Sequence, residues 1–280
     1  MGEDHFLPVN EEHILKDRYL MKPNAPERRA PSGADKKPGS HGNHWGCVTQ
    51  STDEIIRSVE WALKEAKNPD VRAWNGREVA AYVPESRSLT TCAITLDRLI
   101  STGYPMAVDG VAHEVTVDRI EEWANGLEGQ VVGSVGDAAL AFFDTGYYRN
   151  IGRYREGGRH PFALAAFAYV LHKAEPRTIT DAEGKEHSTR NLAAYRPFPQ
   201  GDIDDFVYQS PVKNVETVSF CGKTVYRLTV PLFRLPEEGG EHRDIDIALY
   251  AAGHVTGGYV PHVGDDVMGI LWLQGSLAPG

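Results

Sequence analysis

Residues 144–160, DTGYYRNIGRYREGGRH, gather Arg149, Arg153, Arg155 and Arg159 among Tyr147, Tyr148 and Tyr154, with Asp144 and Glu156 as the acids within the run. Guanidinium forks match the geometry of phosphate or carboxylate, and phenol rings offer faces on which bases or sugars stack. The interspersed glycines leave the backbone open to approach. In a chain of formal net charge −10 the run is a local concentration of positive charge. The functional reading is an anion-binding loop. The plainer reading is a solvated loop whose arginines pair with acids on a neighbouring part of the chain.

Three other constellations carry possible chemistry. His41, His44 and Cys47 follow one another at intervals of three in HGNHWGC. Those ligand types suit zinc, but a structural zinc site takes four, and three on a flexible arm lose entropy on closing. The expectation is incidental histidines and no bound metal. Asp244 and Asp246 alternate in DIDIAL, with His254, His262, Asp265 and Asp266 following. Converged, Asp244, Asp246, His254 and His262 would suit a divalent cation or acid–base work. Simple alternation explains the same pattern, with Ile245 and Ile247 facing a core and the aspartates facing water. Asp144 follows Phe142 and Phe143, the setting for a buried acid with a raised pKa. The triplet Asp144-Thr145-Gly146 resembles that of aspartic proteases, but no second triplet is present, which favours a turn-capping role. Phosphate-binding glycine loops, a nucleophile elbow and a His-Glu-x-x-His pair are all missing from the sequence. No cofactor is expected, and an enzyme is the less favoured class.

The elements that must position these residues are unevenly spread. Residues 1–50 are rich in Pro, Gly and Lys and poor in aliphatics, which predicts a flexible or extended arm. Residues 51–125 read as a small α+β domain. Ser51-x-x-Glu54 has the spacing of a capping box, and Ile55, Val59, Ala62, Leu63 and Ala66 share one helical face. Asn75-Gly76 between alternating runs predicts a hairpin, and Asp109-Gly110 a second. TTCAITLDRLISTG leans towards helix, as does TVDRIEEWANG with Thr116 as its cap. From Gly126 the pattern turns to short or fully apolar strands, with a polar stretch before residue 206 and a further hairpin at Cys221-Gly222.

Net acidity argues against a protein that coats duplex DNA or an anionic membrane. No apolar run approaches a membrane span, and three widely spaced cysteines fit reduced thiols. A cytoplasmic protein without membrane contact is the expectation.

Residues 126–200 and 206–280 each contain about five short strands and a G-D-x-V-like turn, and each resembles an OB-fold barrel. Tyr154 and Gly158 lead into one apolar strand, and Tyr259 and Gly264 into the other. The resemblance is architectural and implies tandem barrels with ligand-binding loops. The expected fold class is α+β: an arm, a small α+β domain and two mainly antiparallel β units. The expected function is that of a non-catalytic binding protein. Tyr147, Tyr148, Arg149, Arg153, Tyr154, Arg155 and Arg159 would engage single-stranded nucleic acid or an acidic protein partner. The alternatives are a metal-dependent hydrolase using the C-terminal Asp/His set, and an assembly component that packs against copies of itself or partners.

Overall fold

The computed structural model describes residues 39–180, 184–237 and 241–278. The described residues are mostly β, with 56% strand and 9% helix. A 3₁₀ turn (His44–Cys47) precedes helix α1 (Thr52–Glu65). A four-stranded antiparallel meander follows: β1 (Asp70–Trp74), β2 (Arg77–Tyr82), β3 (Leu89–Leu96) and β4 (Leu99–Ala107). The next strands are β5 (Val111–Glu122), β6 (Gly129–Val135) and β7 (Ala138–Asp144). A single helical turn, α2 (Tyr147–Asn150), leads to the long β8 (Arg159–Lys173). A small hairpin, β9 (Thr178–Thr180) and β10 (Glu186–Ser188), precedes β11 (Ala194–Pro197) and β12 (Asp205–Pro211). Last come β13 (Asn214–Phe220), β14 (Lys223–Pro236), β15 (His242–Ala252) and β16 (Asp266–Leu277).

Strands β5, β6, β7, β16 and β8 close a five-stranded mixed barrel of OB-like architecture. Closure depends on β8 and β16, which pair antiparallel from Val267–Lys173 to Leu277–Phe162. Each is longer than the barrel needs. The start of β8 pairs with β5, and its continuation turns to β15. The start of β16 pairs with β12, and its end joins β7 in the parallel pair that makes the barrel mixed. One barrel is therefore present where tandem barrels were expected. Strands from 126–200 and 206–280 belong to a single ten-stranded sheet. The barrel interior (Val131, Phe142, Phe162) and the attached strands (Leu228, Ile247, Leu249) also share one continuous core.

Two stretches read as helix are strands. β3 and β4 turn at Asp97-Arg98, both at positive φ (49° and 67°), a hairpin geometry that no glycine or asparagine advertises. TVDRIEEWANG continues β5 as far as Glu122, pairing with β6 from Thr116 to Glu122, and Val115 and Val117 are buried; sheet pairing overrides the helical reading with Thr116 as cap. Asp109-Gly110 links the meander to the barrel rather than closing a hairpin, because β4 and β5 lie in different sheets. There Asp109 accepts hydrogen bonds from Tyr250 and from Arg227 Nε. Other expectations hold. Ser51 caps α1 by accepting from the Glu54 N–H, Asn75-Gly76 turns β1 into β2, and Cys221-Gly222 turns β13 into β14.

A second core lies between the meander and the outer wall of the barrel. It joins Ile94 and Tyr104 to Phe143, Phe167, Tyr250 and Trp272. Gln274 on β16 ties the layers by accepting from Ala107 N (3.1 Å) and donating to Pro105 O (2.9 Å). Residues 41–48 are packed into this seam, with His41, His44, Trp45, Cys47 and Val48 all buried. The described end of the expected arm is thus part of the core; residues 1–38 lie outside the described residues.

Candidate functional site

The Arg/Tyr loop joins β7 to β8 at one end of the barrel. Asp144 starts it from a fully buried position. One carboxylate oxygen accepts from Gly146 N (2.9 Å) and the other from the Tyr154 hydroxyl, which folds the loop back across its own root. Burial pushes Asp144 up to about 6, against the lowering effect of hydrogen bonds from Tyr154, Gly146 and Asn150. The loop leaves through α2 and re-enters against β5, where Gly157 N donates to Val117 O and Val117 N to Gly158 O.

The tyrosines and arginines divide by role. Tyr147 is buried and donates to Glu122 Oε2 (2.9 Å). Tyr148 is buried in the second core, with the Arg149 guanidinium 5.1 Å from its ring centre. Tyr154 is half-buried against Phe162 and His160. Their rings anchor the loop; they are not presented for stacking. The arginines lie outside. Arg149 and Arg72 share the Asp70 carboxylate at 2.8 and 2.9 Å. Arg159 pairs with exposed Glu114 (3.2 Å), and Arg153 donates to the neutral side chain of Asn150 (3.3 Å). Neither Arg153 nor Arg155 pairs with an acid among the described residues, and both are exposed.

The C-terminal Asp/His set is dispersed. Asp244 and Asp246 do share one side of β15, where Lys213 Nζ bridges them at 2.8 and 2.7 Å and Arg234 Nε reaches Asp244 at 2.7 Å. Two protein cations occupy the space a metal would take. His254 lies past the opposite end of β15 and bonds the Gly46 carbonyl (2.8 Å). His262 is exposed beside Asp265, whose carboxylate is held down at about 2, chiefly by Lys173 and then Tyr259. Among the described residues no group of three or more His, Cys, Asp or Glu is arranged to hold a metal ion. No described helix is long and apolar enough to cross a membrane.

Sequence spacing grouped His41, His44 and Cys47; the structure joins the two histidines to each other and His41 to Glu128, and leaves Cys47 apart. His41 Nδ1 is 2.7 Å from His44 Nδ1, and His41 Nε2 is 2.6 Å from Glu128 Oε1. Cys47 is a separate core thiol, pushed up by burial. Glu128 is 87 residues from His41 in the chain, and no local pattern joins them. Asp204 was equally hidden, since it sits in an acidic turn that reads as solvated. It is fully buried, accepts from Trp272 Nε1 (3.1 Å), and is raised to about 8 by burial and then by Asp205 and Asp202.

Compared with protein-family models, curated proteins and solved structures, the chain matches none.

Proposed function

We propose that this is a non-catalytic binding protein that engages single-stranded nucleic acid through phosphate contacts from the β7–β8 loop. The observation that carries the reading is the pair of exposed arginines, Arg153 and Arg155, that have no acid partner among the described residues on an otherwise acidic chain. Arg149, Arg72 and Arg159 flank them, and two of these share a single carboxylate, so the loop carries an excess of positive charge. Anchoring by Asp144 and the three tyrosines lowers the ordering cost of binding. Because the tyrosine rings are engaged within the protein, contact runs through phosphates and is tolerant of base sequence.

Fluorescence anisotropy with a labelled single-stranded oligonucleotide tests this. Affinity should fall steeply with salt, and Arg153→Ala/Arg155→Ala should reduce both the affinity and the salt slope, the latter by about 1.4 for two lost single-strand phosphate contacts. Tyr148→Phe should leave both unchanged. An unmeasurable interaction at low salt rejects the reading. Co-purification of an acidic protein that is lost in the arginine variant would redirect it to a protein partner.

A further inference from the structure

His41 is enclosed on several sides by aromatic rings. The ring centres of Tyr104, Trp123 and Phe143 lie 4.7, 4.9 and 4.9 Å from that of His41, and Trp272 lies at 5.8 Å. These rings come from four separate elements: β4, the β5–β6 turn, β7 and β16. Glu128 supplies a carboxylate in the same enclosure. It is fixed in place by Thr102 Oγ1 and Asn125 Nδ2, while Asn125 Oδ1 accepts from the backbone of Leu127 and Glu128. Aromatic faces around a carboxylate make a site that attracts cations by ring quadrupole and by direct charge.

The charge inventory narrows the class of occupant. Glu128 is 2% exposed, and no lysine or arginine pairs with it among the described residues. A buried carboxylate is tolerated when a positive partner and hydrogen bonds compensate its lost hydration. His41 is the basic group in contact with it. In that contact an ionised carboxylate would accept and His41 Nε2 would donate. The second ring nitrogen meets His44, whose own ring lies flat on Trp272 with centres 4.0 Å apart. The Tyr104 hydroxyl is already committed to Thr145 O, which leaves its ring face for the enclosed group.

We propose that Tyr104, Trp123, Phe143, Trp272 and Glu128 form a recognition site for a planar nitrogen cation of imidazolium type, filled within the chain by His41. Residues 41–47 then serve as an intramolecular occupant of that site, held between the meander and the barrel. At Gly39 the backbone passes against the Trp123 ring. A Cβ on Gly39 would lie 1.9 Å from that ring, so any side chain there would force Trp123 or the backbone to shift.

The test uses the full chain with His41→Gly and follows thermal unfolding with added imidazole. A saturable rise in the unfolding midpoint is expected, larger at about pH 6 than at about pH 8 because imidazole is then mostly protonated. Wild type, with the site filled, should show no such saturable rise. Equal stabilisation by thiophene, a ring of similar size without charge or N–H, would overturn the proposal by showing only a cavity. An undiminished imidazole effect in His41→Gly/Glu128→Gln would overturn it as well. Should His41→Gly fail to fold, His41→Phe keeps the ring and removes the charge. Loss of stability there, recovered in His41→Phe/Glu128→Gln, supports a cation site. Wild-type stability in His41→Phe, or no recovery in the double variant, overturns it.

Discussion

Two buried carboxyls set an unusual response to pH. Asp144 is raised to about 6 and Asp204 to about 8, in both cases chiefly by burial. A raised acid binds more protons in the folded than in the unfolded state between its two pKa values, so stability falls as pH rises through that window. With unfolded values near 4, Asp144 weakens the fold from about pH 4 to 6 and Asp204 from about pH 4 to 8. Asp265, held at about 2, works in the opposite direction below pH 4, where its stabilisation is lost as it protonates. Urea unfolding across this range should therefore show greatest stability near pH 4–5. Asp204→Asn should flatten the decline above pH 6 and stabilise the protein at pH 8 by about 1–3 kcal/mol. A decline that persists unchanged in Asp204→Asn assigns the effect to another group. Asp144 was readable as a buried acid from the two phenylalanines before it. Asp204 was not, because Gly-Asp-Ile-Asp-Asp has the composition of a solvated turn and only long-range packing buries it.

Among the elements, legibility followed whether the deciding interactions were local. The Ser51 cap and the Asn75-Gly76 turn act within a few residues, and both are found where the pattern placed them. Ser51→Ala should cost about 1 kcal/mol in thermal unfolding, the usual worth of an N-cap. Strand β5 is decided by partners on both sides, and the β3–β4 turn by two residues without the usual positive-φ signature, so local pattern misreads both. A closer constraint sits in the β8–β16 ribbon. A Cβ on Gly269 would lie 1.9 Å from the Val170 carbonyl oxygen, which is backbone and cannot swing aside. Gly269→Ala should force the ribbon apart and lower stability by about 1–3 kcal/mol or more, a larger loss than Ser51→Ala. Equal losses would mean the ribbon relaxes freely.

At the scale of the molecule, the likeness between residues 152–171 and 258–278 takes on a different meaning. These segments carry β8 and β16, the two strands of one ribbon, and they pair with each other rather than repeating a domain. Similar surroundings on either side of the ribbon account for similar patterns, and strand length was the signal that each served more than the barrel alone. The polar stretch before residue 205 has the composition of a protease target. After a single nick there, the two fragments should co-elute in size exclusion, because β16 is hydrogen-bonded to β7 and β8, and β15 to β8. They should separate only in denaturant. Independent elution of a folded C-terminal piece would show that the halves are autonomous.

The placement of β16 also has a consequence for how the protein is born. β8 ends at Lys173 and its closing partner begins at Asp266, so the ribosome makes seven other strands before the barrel can shut. Until then β7 and the far side of β8 offer bare strand edges, with Phe142, Phe162 and Leu164 awaiting a lid over the interior. At about 5–20 residues per second this exposure lasts several seconds, long enough for an open barrel to meet another nascent copy. Yield in the cell should accordingly respond to translation speed and chaperone supply more than the stability of the finished fold would suggest.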